Sequence, residues 1–207
     1  KGRRIFTTEI AVIPDKTSGQ KEAFDVNDYA EEYKKHLINQ IRIEISNWRG
    51  SGYPSVTRVT SDLLRYWFLD PDRHETKLLF FAQREAIETA IWLNEVADKS
   101  NSGQFILNQI RKSYTEVDER SEYHLPRIAF KMATGTGKTV VMGALILYNY
   151  FNRRIYRNDT RFADYFLVVA PGITIKDRLN VLKVDKKKHE REDYYSKNER
   201  DLVPLAY

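Results

Sequence analysis

A glycine-rich turn between a β-like run and a long apolar helix pattern constrains this chain more than any other feature. Arg127-Ile-Ala-Phe-Lys-Met132 has strand character, Ala133-Thr-Gly-Thr-Gly-Lys-Thr139 follows it, and residues 138–151 place Val141, Leu145, Tyr148 and Phe151 on one helical side. A polyphosphate is held by backbone N–H groups aimed inward, which glycine permits, and by the positive end of a helix dipole. Thr134, Gly135, Thr136 and Gly137 are spaced to form such a nest. Lys138 is placed to neutralise the β- and γ-phosphates, and the Thr139 hydroxyl to ligate Mg2+. The expected ligands are therefore ATP and Mg2+, with Lys138 and Thr139 as the catalytic pair. The competing reading is a chance glycine-rich turn, which would not require the strand before it or the helix after it.

Downstream, Tyr165-Phe-Leu-Val-Val-Ala170 is a continuous apolar run of the kind buried on both faces of a parallel sheet. Pro171-Gly172 breaks it, and Thr174 to Leu182 has a helical pattern. Strand, loop and helix, twice over, predict an α/β fold with a parallel sheet. Upstream, residues 4–13 read as a strand and Tyr29 to Trp48 as a helix ended by Gly50-Ser-Gly-Tyr-Pro54. A short helix through Leu63, Leu64 and Trp67 is expected, capped by Thr60 or Ser61, and longer helices over 82–97 and 104–114. The expected division is a mostly helical N-terminal extension over 1–78 and a second region over 79–207 with a helical insert near 99–125.

Composition narrows the function classes. With 42% hydrophobic and 30% charged residues the chain reads as globular, and its net charge of +5 leans mildly toward polyanionic partners. The absence of cysteine excludes disulfides, thiolate metal sites and cysteine nucleophiles, and fits a reducing compartment, so a cytoplasmic location is expected. The four histidines are scattered with no metal-ligand spacing. The longest apolar stretch, Val140 to Phe151, is too short to span a bilayer, and no membrane partner is expected. The opening Lys-Gly-Arg-Arg has no signal-like apolar segment behind it, and the chain is expected to begin inside a longer reading frame.

The general phosphate-loop pattern begins with glycine, where this chain has Met132. In that form the loop resembles motif I of superfamily 2 (DEAD/DEAH-box) helicases. Two further segments agree. Phe80-Phe-Ala-Gln-Arg-Glu-Ala-Ile87 resembles the glutamine segment upstream of motif I, although Gln83 lies 54 residues before Gly137, a longer gap than in compact DEAD-box proteins. That resemblance implies a Gln83 hydrogen bond to the adenine edge, with Phe81 or Arg84 nearby; by itself, Gln83 reads as a solvated position on an amphipathic helix. Val168-Val-Ala-Pro-Gly-Ile-Thr174 resembles motif Ia, which implies contact with a nucleic-acid backbone through Pro171, Gly172, Thr174 and Arg178; a plain strand-to-helix turn is the alternative.

From Trp48 onward the chain is similar to the Res subunits of type III restriction enzymes. The resemblance is carried by Trp48-Arg-Gly-Ser-Gly-Tyr-Pro54 with Thr57, Thr60, Leu63 and Leu64, by Leu79 to Gln83 with Glu88-Thr-Ala-Ile-Trp92, and by Phe166 to Arg178. It implies a RecA-like P-loop NTPase lobe, a parallel sheet flanked by helices, behind the N-terminal extension. It also implies an ATP-dependent DNA helicase or translocase that supplies a restriction nuclease, with double-stranded DNA and a modification methyltransferase subunit as partners.

Such a motor also needs an acidic motif for Mg2+ and water, and arginines for transition-state charge. Asp118-Glu-Arg-Ser121 mimics the acidic box but precedes the loop and follows no apolar strand, so it reads as a solvated connector. The acidic box is expected beyond residue 207, making the chain an N-terminal fragment that at most binds nucleotide. Asp72, Glu75 and Lys77 sit too close together for a nuclease metal site spread over two strands, and Lys183 to Arg191 mixes charges as a solvated segment does. Two other classes compete: a non-hydrolysing DNA-binding or assembly module with a structural phosphate loop, and a small-molecule kinase, which Met132 disfavours.

Overall fold

The computed structural model describes residues 36–117, 128–183, 195 and 200–207. The expected strand at 4–13, the first part of the helix from Tyr29, the Asp118 connector and most of the Lys183 to Arg191 run lie outside the described residues. The chain forms two compact units, one drawn from residues up to Pro54 and from Val96 to His124, the other from Ser55–Glu95 and Leu125–Tyr207. No helix among the described residues is long and apolar enough to cross a membrane.

In the first unit, helix α1 (Leu37–Gly50) buries Ile41, Ile45 and Trp48 at the spacing of one helical face. It ends where Gly52 takes φ +78°, and the Trp48 indole N–H donates to the Pro54 carbonyl at 2.9 Å. Trp48 also meets Tyr53 edge to face with ring centroids 4.8 Å apart, which closes the turn as a small aromatic cap.

The second unit is built on three helices. Helix α2 (Arg58–Leu64) runs on into a π-helical turn (Arg65–Leu69) that sets Trp67 inward, and helix α5 (Lys138–Ile155) packs against both α2 and α3 (Phe81–Glu95). Between them, α4 (Asn101–Val117) belongs to the first unit, and α6 (Ile173–Arg178) follows α5. The core contains Leu63, Leu64 and Trp67 from α2 and its continuation, Ile87, Ile91 and Trp92 from α3, and Val140, Val141, Ala144 and Tyr148 from α5. Leu182, Tyr195 and Leu202 close over α5 at Gly143, where a Cβ would stand 3.4 Å from Leu202 and 3.5 Å from Leu182. The end of the chain is tied back by the Trp67 indole N–H donating to the Leu202 carbonyl at 2.8 Å. Arg73 reinforces the tie by donating to the carbonyls of Arg200 and Asp201 at 3.0 and 2.8 Å.

Two expectations are corrected. The α/β fold with its RecA-like parallel sheet is not what the structure has: the described residues are helical, with no β-strand among them. Residues 128–132 and 165–170 have no regular secondary structure and no ladder partner among the described residues, and Tyr165, Leu167 and Val169 are 90, 90 and 80% exposed. An apolar run becomes a buried strand only when neighbouring strands satisfy its N–H and C=O groups on both edges. Here the run instead lines one side of an open groove of about 700 Å3, with Ile146, Leu179 and Leu182 on its other walls. The second correction is smaller. The cap of α2 is Thr57, whose hydroxyl accepts from the Thr60 N–H at 3.1 Å, while Thr60 itself is buried inside the helix.

Ile91, with no exposed surface, measures how far the second unit depends on its α3 face. Ile91→Ala is expected to lower unfolding free energy by about 2–5 kcal/mol in denaturant titration; a loss below about 1 kcal/mol would show that α3 does not supply the core.

Candidate functional site

The glycine loop follows irregular backbone at Met132 and Ala133, turns at Thr134 and Gly135, and enters α5 at Lys138. Gly135 and Gly137 hold φ of +79° and +78°, a left-handed conformation that side chains resist. Thr136 tightens the turn, its hydroxyl donating to the Ala133 carbonyl at 2.7 Å. The N–H groups of Gly135, Gly137, Lys138 and Thr139 have no acceptor among the described residues, so the loop presents a cluster of donors at the start of an 18-residue helix. The segment 132–139 contains no carboxylate. Lys138 is exposed and folds back over the loop, its Nζ donating to the carbonyls of Met132 at 3.1 Å and Ala133 at 2.9 Å. Thr139 lies half-buried in the first turn, while Thr134 is exposed. These residues suit a polyanion: free N–H donors, left-handed glycines and one exposed cation share one turn.

Gln83 sits beneath this turn and is 3% exposed, not on a solvated helix face. Its Oε1 accepts from the Phe80 N–H at 2.8 Å, which places it in the third position of α3 as half of a capping box. Its Nε2 donates to the Thr136 carbonyl at 3.0 Å. One amide thus caps α3 and grips the loop that opens α5. Phe80 and Phe81 flank it, 55 and 47% exposed. Arg84 pairs with Glu88 at 2.8 Å and lies over the Phe68 ring at 5.0 Å from its centroid. The capping role is the part sequence reading missed. Its signal was positional, a glutamine three residues beyond Phe80 at the start of an apolar helix.

Pro171, Gly172, Thr174 and Arg178 are all exposed, on and just before α6. No described hydrogen bond joins them to the glycine loop. No three His, Asp or Glu side chains among the described residues converge as a metal site. Thr139 offers a single oxygen, which fits a Mg2+ whose other ligands are phosphate oxygens and water.

The contact between Gln83 and the loop is close enough to test directly. A Cβ on Gly137 would lie 2.1 Å from Gln83 Nε2, on top of the left-handed strain. Gly137→Ala is expected to cost about 1–3 kcal/mol in thermal or chemical unfolding. Adding Gln83→Ala relieves the clash but not the strain, so the double variant should lose less than the sum of the two single losses. Additive losses would show that the two groups do not touch.

A family model described as "Type III restriction enzyme, res subunit" matches residues 78–202. The match takes in Gln83, the whole glycine loop and the exposed segment at 171–178, and covers well over half of the 207 residues. No curated protein and no solved structure matches the chain. On the strength of that match the chain belongs to the family of type III restriction enzyme res subunits.

Proposed function

We propose that the chain is the nucleotide-binding part of an ATP-driven, helicase-like motor that works on double-stranded DNA in a restriction–modification system. The observation that carries this reading is the donor cluster at the start of α5, with Lys138 poised over it. In this reading the main-chain N–H groups of Gly135, Gly137, Lys138 and Thr139 receive the phosphates, in a turn that Thr134 and Thr136 complete. Lys138 swings from the Met132 and Ala133 carbonyls to the β- and γ-phosphates, and Thr139 gives its hydroxyl to Mg2+. ATP supplies the phosphoanhydride bond; the chain's part is to hold it, neutralise it and align it.

Gln83 has two tasks in this proposal. Its amide keeps one lone pair on Oε1 and one N–H on Nε2 beyond the contacts to Phe80 and Thr136. That pair matches the N6–H and N7 edge of adenine, so base recognition would be coupled to the position of the loop. Pro171, Gly172, Thr174 and Arg178 are proposed to meet the DNA backbone, supported by their exposure and by the cationic Arg178. A modification methyltransferase subunit is the protein partner that the family implies.

Calorimetric titration with Mg-ATP and a slowly hydrolysed analogue tests the nucleotide site. Lys138→Ala is expected to weaken binding by at least about tenfold without lowering Tm, because the side chain is exposed and its loss leaves no buried partner. Equal binding by the variant, or none by the folded wild type, would favour a structural loop in a non-hydrolysing module. For the DNA face, Arg178→Ala is expected to lower duplex affinity several-fold and reduce the salt slope by about one. An unchanged slope would remove Arg178 from the interface.

A further inference from the structure

Thr57 and Thr60 have no part in the nucleotide or DNA readings, yet the structure gives them a specific place. The carboxylate of Glu95, with no exposed surface, accepts from the Thr57 N–H at 2.8 Å through Oε2 and from the Thr60 hydroxyl at 2.6 Å through Oε1. Asn152, equally buried on α5, completes the cluster. Its Nδ2 donates to Thr60 Oγ1 at 2.9 Å and to the Tyr148 carbonyl at 2.8 Å, and its Oδ1 accepts from the Thr57 hydroxyl. The neighbouring Asn94 donates to the Tyr148 hydroxyl at 2.9 Å. Burial, together with the nearby Glu95 charge, holds that phenol well above its ordinary range. Arg161 lies within electrostatic reach of Glu95. Both threonine hydroxyls find an acceptor, and Glu95 accepts from two donors, one to each oxygen.

The placement of the cluster along the helices is the telling part. Gln83, Ile87, Ile91 and Glu95 follow one another at intervals of four along a single ridge of α3, and all four are buried. The ridge is apolar in the middle and polar at both ends. At its first end Gln83 holds the loop where α5 begins; at its last end Glu95 holds, through Thr57 and Thr60, the residue near where α5 finishes. Apolar packing between α3 and α5 is non-directional and would tolerate a slide or a tilt. A fully satisfied buried polar cluster permits only one register.

We infer that Glu95 is a positioning residue, which with Thr57, Thr60 and Asn152 forms a rear anchor for α5 and so fixes the helix whose first turn carries Lys138 and Thr139. As a role in nucleotide binding the inference rests on the function proposed above; as a constraint on the loop it stands on the geometry alone. A phosphate nest needs its N–H groups set to within about half an ångström. An 18-residue helix held only at its front end would convert a small displacement at Asn152 into a misaligned first turn.

The test uses near-isosteric variants of the full chain, Glu95→Gln and Thr60→Val, with Leu63→Ala as a control that lowers stability without touching the cluster. Amide hydrogen exchange is read at Thr136, Val140 and Val141, whose N–H groups are bonded within the loop and the first turn of α5, under conditions where all variants have equal global stability. Both anchor variants are expected to raise exchange in the loop by about fivefold over the control, the equivalent of one net hydrogen bond. Asn152→Ala, which removes the far side of the cluster, should raise it further. Loop exchange equal to that of the control in the folded variants overturns the anchor. Mg-ATP titration of the same proteins is scored separately. A wild type that binds no nucleotide, with loop exchange still raised in the variants, would sink the nucleotide reading and leave the anchor standing. Where the wild type binds, Glu95→Gln is expected to weaken nucleotide by about fivefold with partial retention relative to Glu95→Ala; full-strength binding by both would confine the anchor to stability and overturn its positioning role.

Discussion

The second unit of this chain turns on one side-chain amide. Gln83 spends its oxygen on the first turn of α3 and its nitrogen on the carbonyl of Thr136, so the start of one helix and the start of another share a fastening. Because the amide is nearly fully buried, neither half can be lost without stranding a polar atom. Gly137 answers to the same constraint, as its left-handed backbone leaves the space that the amide nitrogen fills. The loop is thus shaped from below by α3 before any ligand is considered.

The helices were legible in the sequence because their information is local. The stripes through Ile41, Ile45 and Trp48, through Ile87 and Ile91, and through Val141 and Tyr148 repeat at helical spacing, and each is buried. The sheet was misread because strand pairing is non-local. The run at 165–170 reports that its residues are aromatic, aliphatic and in part β-branched, but not whether a partner lies beside them. The loop's residue types were legible for the same reason as the helices: glycine, lysine and threonine at fixed offsets define a backbone shape and its charges.

The buried polar residues were harder to see, although the pattern contained them. Glu95 lies four residues beyond Ile91, and Asn152 four beyond Tyr148, each continuing a buried stripe. Reading by residue type assigns both to solvent; reading by position assigns both to the interior. Position prevails here because partners exist for every donor and acceptor. The same logic moved the cap of α2 to Thr57. Thr60, deeper in the helix, is needed by Glu95, and the residue before the helix remains free to cap it.

Lys138 rests on the carbonyls of Met132 and Ala133, so its charge is already partly answered within its own loop. Any anion that recruits it must replace two acceptors, each worth about 1 kcal/mol net. A small ion that offers a single contact gains little by that exchange. A chain of phosphates gains more, since it meets the lysine and the four waiting N–H groups together. The resting posture of one side chain therefore acts as a threshold, turning a generally anion-friendly turn into one that rewards ligands long enough to span it.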